Sequence, residues 1–296
     1  MAQTAEDYFN EGKKCFQEGN FNESIENYSK AIKADSSCIK AFLFRANAKQ
    51  NIGDHPGAIT DFSHAIALNS DNNNTQTEDS LIEEAHYNRG FSNIQLENFT
   101  DAIKDFNKVI QQNNQDPAAF FHRGYSNSQL GNFVDALDDF SSAKKLNPEH
   151  PETFFESGKA NLLLQKLEEA LADLDKTIAL ADDHHAAYYY RGLIHSHLSN
   201  SQKAINNFSK AIKIVPNNAL FYFYRGFEKN KMEDRIGSIE DYTKAIELKP
   251  DFAEAYLKRG VAHFLTNQPE KAREDLQKAK ELGSDEATEA INKLFD

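Results

Sequence analysis

Six arginines, Arg45, Arg89, Arg123, Arg191, Arg225 and Arg259, recur at equivalent places along the chain, and a row of guanidinium groups could bind phosphates or carboxylates in a groove. An equally regular row of carboxylates accompanies them: Asp61, Asp105, Asp139, Asp173, Asp241 and Asp275. Five of the arginines stand as far before a turn as their aspartates stand after it, so each pair should lie side by side. The expectation is a set of exposed ion pairs worth about 0.2 to 1 kcal/mol each that orient two helices, not a ligand site. Asp173, opposite Ser157, departs from the pattern.

The remaining chemistry-bearing residues are sparse. His195 and His197 form an isolated His-x-His whose rings leave a helix in different directions, His184 and His185 lie together without a Cys or carboxylate cluster, and His195 and His263 occupy a place expected to fill a core. Cys15 and Cys38 can make neither a disulfide framework nor a four-ligand zinc site. There is no phosphate-binding Gly loop, no Gly-x-Ser-x-Gly elbow and no nucleophile with a placed base. No catalytic residue, metal ligand or cofactor is therefore assigned, no small-molecule substrate is evident, and a non-enzymatic role is expected.

A net charge of -13 argues against nucleic acid or an anionic membrane as the main partner, since both reward clustered Lys and Arg. The start, MAQTAEDYFNEGKK, has no apolar h-region, and no run of about 18 apolar residues occurs, so membrane insertion is not expected and the compartment is read as cytoplasmic.

What must position these side chains is a repeat. Gly90, Gly124, Gly158, Gly192, Gly226 and Gly260 are 34 residues apart, with Gly12 and Ala46 continuing the series after one interruption. Twelve residues after each comes Ser24, Ala58, Ala102, Ala136, Ala170, Ala204, Ser238 or Ala272, and Phe62, Phe106, Phe140, Phe208 and Tyr242 stand four further on. Small residues at two points and large apolar ones between them predict two antiparallel helices in close contact, joined by a turn near Gly19, Gly53 and Gly131. Pro148, Pro216 and Pro250 close three units where a helix must stop.

Units such as Ala253 to Leu282, AEAYLKRGVAHFLTNQPEKAREDLQKAKEL, resemble the tetratricopeptide repeat (TPR) family, and the resemblance covers nearly the whole chain. It implies an all-α, right-handed α-solenoid of antiparallel helix-turn-helix repeats over 5–286, with units 5–38, 39–72, 83–116, 117–150, 151–184, 185–218, 219–252 and 253–286. Residues 73–82, overlapping the polar stretch from Asn69 to Ser80, are expected as an inserted loop or a bulge in the solenoid, and 287–296 as a C-terminal capping helix.

In this family the concave surface is lined by the first helix of each hairpin at repeat positions 2, 5, 6 and 9. Here those positions are rich in aromatics, and Tyr87, Phe91, Tyr125, Tyr189, Tyr190, Tyr224 and Phe227 are the candidate partner-binding residues. A chaperone-type carboxylate clamp is not expected: Asn47 and Asn88 are in place, but Leu43, Ala118 and His122 stand where three cations are needed. The function implied is a protein-interaction scaffold or assembly subunit in a larger complex, gripping a peptide or protein in its groove. The alternatives are a regulatory or targeting subunit that docks a catalytic partner, and a co-chaperone without a clamp.

Overall fold

Several of the predicted hairpins begin where a capping residue or proline starts a helix, and each turns where one residue adopts a left-handed backbone. Asp116 caps the helix that begins at Pro117 by accepting from the Ala118 and Ala119 amides, and Pro117, Pro151 and Pro269 occupy helix starts. Position 15 of every repeat is left-handed. Gly19, Gly53 and Gly131 take φ near +80°, whereas Glu97, Gln165, Ser199, Glu233 and Asn267 are held at φ between 58° and 65°. Glycine is therefore not what makes the turn, and the other five repeats accept the strain of a side chain there.

The computed structural model describes residues 3–72 and 76–295, which form seventeen helices and no strand. They are α1 (Ala5–Gln17), α2 (Phe21–Ala34), α3 (Ile39–Asn51), α4 (His55–Asn72), α5 (Gln76–Gln95), α6 (Phe99–Gln112), α7 (Pro117–Gln129), α8 (Phe133–Leu146) and α9 (Pro151–Leu163). There follow α10 (Leu167–Leu180), α11 (His185–His197), α12 (Ser201–Ile214), α13 (Ala219–Lys231), α14 (Arg235–Leu248), α15 (Ala253–Leu265), α16 (Pro269–Glu281) and α17 (Asp285–Phe295). The chain divides into two compact units, Met1–Thr153 and Phe154–Asp296.

Within each unit the helices pack in chain order as a stretch of α-solenoid. First helices also touch the next first helix, α1 with α3, α3 with α5 and α5 with α7 in one unit, α11 with α13 and α13 with α15 in the other. No second helix touches another among the described residues, so the first helices form the inner side of the curve. In the second unit α17 lays Ala287, Ala290, Ile291 and Leu294 against Leu257, Leu276 and Ala279.

The glycine at position 8 accommodates the large side chain at position 24, a ring or a leucine, more than the small residue at position 20. A Cβ on Gly192 would sit 2.6 Å from the Phe208 ring, and one on Gly124 would sit 2.9 Å from Phe140 and 3.1 Å from the Ala136 carbonyl. Gly192→Leu is accordingly expected to overpack α11 against α12 and destabilise its unit by about 1 to 3 kcal/mol or more, read as a lowered Tm with helical circular dichroism retained at low temperature. An unchanged Tm would contradict the packing.

The insertion is not a loop throughout. Residues 69–72 continue α4 and 76–82 belong to α5; residues 73–75 lie outside the described residues. Polar composition suggests a loop, but no Gly or Pro occurs between Gly57 and Gly90 to stop either helix.

Candidate functional site

The arginines and aspartates meet as expected, but they are not exposed. Arg45, Arg89, Arg123, Arg225 and Arg259 each place Nη2 at 2.6–2.7 Å from Oδ1 of Asp61, Asp105, Asp139, Asp241 and Asp275, with Nε on the same carboxylate. These five carboxylates are buried, at 2–9% side-chain exposure. The surface-pair magnitude therefore does not apply; these are two-pronged, charge-assisted bonds in a sheltered groove.

Each guanidinium also reaches back one repeat. Nη1 of Arg45, Arg89, Arg123, Arg225 and Arg259 donates to Ser29, Ser63, Asn107, Ser209 and Thr243 on the preceding second helix, at 2.6–3.2 Å. One arginine thus fastens its own hairpin shut and ties that hairpin to its predecessor. Position 11 completes the rung. Lys49 and Lys229 pair with Asp61 and Asp241 at 2.7 and 2.8 Å, and Asn93, Asn127 and Asn161 donate to Asp105, Asp139 and Asp173. The apparent exception is satisfied the same way, since the Ser157 hydroxyl donates to Asp173 at 2.6 Å.

His263 is buried, as expected of a side chain that fills the core, and its Nε2 also lies 3.9 Å from the Asp275 carboxylate; burial holds its pKa below the usual value. His195 at the same position is half-buried, its pKa also lowered by burial first. Lys49, Asn93, Asn127, Asn161 and Lys229 at position 11 join a polar ladder because the carboxylate at position 23 needs further donors.

All seven candidate aromatics are half-buried, and they fall into two groups. In the first unit Tyr87 and Phe91 both meet the His122 ring edge-on, at 5.7 and 5.8 Å, while Tyr125 meets Phe99 at 6.3 Å. Burial pushes the Tyr87 hydroxyl up to about 12. Beside this group a cavity of about 170 Å³ lies between Pro117, Ala118, Phe121, His122, Asn147 and His150, roomy enough for a benzene-sized side chain.

In the second unit Tyr189 touches Tyr190, Phe208, Phe221 and Tyr224 at 5.3–6.1 Å, and Tyr224 stacks on the core ring of Phe208 at 5.9 Å. Tyr190 lies against Phe155. Burial, then Tyr224, raises the Tyr189 pKa. Phe227 instead lies under Lys231, 5.6 Å from ring centroid to ammonium. The position 5 and 6 rings are thus interlocked with the repeat core, whereas Phe91, Tyr125 and Phe227, all at position 9, are more weakly engaged.

His122 makes the first group sensitive to pH. Burial pushes its pKa down to about 4, with Asp116 opposing and His150 assisting. The folded ring stays neutral while an unfolded histidine protonates near 6.5, so the unfolded chain binds more protons between these values. This contribution is complete above pH 6.5 and is lost as pH falls towards 4. Denaturation across pH 7 to 4 should show the wild type losing up to about 3 kcal/mol more than His122→Phe; parallel declines would show that the ring is not responsible.

The clamp positions are equally clear. Leu43 is buried in the first core, Asn88 donates to Asn47 at 3.3 Å, and His122 is neutral, so no cation faces the two amides from these positions. A peptide ending in an acidic chaperone tail is expected to give no measurable heat in calorimetry. Micromolar binding abolished by Asn47→Ala with Asn88→Ala would overturn this.

Models of the tetratricopeptide repeat match residues 5–38, 85–151, 185–218 and 253–283, and a TPR repeat model matches 237–267. No curated protein matches the chain. Among solved structures, MamA is 27% identical with a TM-score of 0.53, the alignment covering 56% of this chain and 96% of that one. A tetratricopeptide repeat protein from Parabacteroides merdae is 19% identical with a TM-score of 0.60, covering 86% and 96%. YrrB, described as a TPR protein with an unusual peptide-binding site, is 20% identical with a TM-score of 0.57, covering 63% and 97%. With hairpins of one length repeated through both units and family models matching at each end and between, the chain belongs to the tetratricopeptide repeat family.

Proposed function

We propose that the protein is a non-catalytic, cytoplasmic scaffold of a larger assembly, which holds a segment of a partner polypeptide against the inner face of its first helices. The observation that carries this reading is the set of position 9 rings, Phe91, Tyr125 and Phe227, left half-exposed beside rings that are committed to packing. A half-buried aromatic costs little entropy to order and offers a large apolar surface, which is what an interface anchor requires. The cavity beside His122 supplies a place for one partner side chain. Tyr87, Tyr189, Tyr190 and Tyr224 have a supporting part, setting the position of the anchors from beneath. A peptide-binding site in the YrrB structure is in keeping with this use of the fold. Affinity purification from the source cells, followed by binding of the recovered partner to position 9 variants, tests the proposal.

A further inference from the structure

Helix α12 breaks the charge pattern of the second helices. It carries Lys203, Lys210 and Lys213 and no acidic residue, whereas every other second helix contains at least two Asp or Glu. The arginine ladder changes at the same place, because position 23 of this repeat is Asn207. Its Oδ1 accepts Arg191 Nε at 2.8 Å and its Nδ2 donates to the Lys203 carbonyl at 2.8 Å. In the five complete rungs Nη2 donates to an aspartate; Arg191 Nη2 has no acceptor among the described residues. Nη1 donates to Asp175 at 2.5 Å, a carboxylate whose side chain is 61% exposed, and the guanidinium lies 5.4 Å over the Tyr188 ring. Arg191 opens onto a shallow cleft with Asn206, Lys210 and Lys213, and neither lysine has an ion-pair partner among the described residues.

We propose that this cleft is a subsite for an anionic side chain of a protein partner, a phosphorylated serine or threonine or a glutamate. The guanidinium offers its open Nη2 prong, the two lysines supply charge, and the Asn206 amide can donate; against these stands the single carboxylate of Asp175. Oxyanions are bound by such sets of charge-assisted donors. The cleft is on a second helix, away from the aromatic face, so it neither requires nor excludes the groove reading.

The test is an NMR titration of the full chain at low ionic strength, where surface electrostatics are least screened, following the Arg191 side-chain Nε–H signal. Three short peptides are used: one with a single phosphoserine, its unphosphorylated twin and its glutamate counterpart. The expected result is a saturable shift with the phosphoserine peptide and none with the twin. An equal shift with the glutamate peptide identifies an acidic sequence as the ligand, and a phosphoserine-only response identifies a phosphorylated one; either supports the site. Lys210→Glu with Lys213→Glu should weaken binding at least tenfold. Asn207→Asp, which restores the carboxylate of the other rungs, should do the same with an equal or higher Tm, whereas Phe227→Ala should leave binding unchanged. No shift with either anionic peptide, a response to the unphosphorylated twin equal to both, or binding indifferent to Asn207→Asp and the lysine reversals would overturn the proposal.

Discussion

Asp241→Ala is expected to destabilise the unit formed by residues 154–296 by about 3 to 5 kcal/mol, the cost of leaving buried charge without its partner. Asp241 is only 3% exposed. Its Oδ1 accepts Arg225 Nη2 at 2.6 Å, and its Oδ2 accepts Arg225 Nε at 2.9 Å and Lys229 Nζ at 2.8 Å. The two cations retain only 20% and 21% side-chain exposure, so water cannot fully replace the lost acceptor. The loss should spread beyond one hairpin, because Arg225 also donates to Ser209 of the preceding second helix. Asp241→Asn keeps an acceptor for Nε, as Asn207 does for Arg191, and should cost clearly less. Arg225→Lys should be harmful despite preserving the charge, since an ammonium cannot reproduce the fork. Because repeat arrays need not unfold in one step, amide hydrogen exchange in α12, α13 and α14 is the appropriate readout beside urea denaturation. Wild-type exchange and midpoint in Asp241→Ala would show that the ladder orients the hairpins without stabilising them.

Truncating the position 9 rings should be the largest effect on binding. Phe91→Ala with Tyr125→Ala, or Phe227→Ala alone if the partner lies on the second unit, is expected to weaken the recovered partner by about 2 kcal/mol or more, roughly thirtyfold in Kd. These rings are preferred to Tyr189 and Tyr224 because each of the latter contacts Phe208, so alanine there would disturb the core and confound the measurement. The Tm of each position 9 variant should stay within a few degrees of wild type. Substitutions at Glu168 and Glu240, exposed on second helices, serve as controls and should leave Kd unchanged. If they abolish binding while the position 9 variants are silent, the partner contacts the outer surface and the rings only stiffen the array.

The sequence alone determines the hairpin, its length and the pairing inside it. A 34-residue period in small residues is a local signal: Gly192 must pass close to Phe208 because both belong to one unit, so the contact is written in a single stretch of chain. The same holds for Arg45 with Asp61. The link from Arg45 back to Ser29 spans sixteen residues, as the link forward to Asp61 does, so it was available to a reading that compared neighbouring repeats. Exposure was not legible in this way. Position 6 carries Phe44, His122, Tyr190 and Tyr224, and the sequence assigns them one face. Whether a ring is free depends on the side chain the adjacent hairpin sets against it, Phe106 against His122 and Phe208 against Tyr224. The helical extension into 76–82 was hidden because composition predicts solubility better than backbone state. Only the tertiary structure decided that the ion pairs are buried, because their burial is produced by second helices from two repeats closing over one guanidinium. It also decided that Asn207, which carries an amide NH2 where aspartate has an oxygen, leaves Arg191 Nη2 without the ladder's acceptor among the described residues.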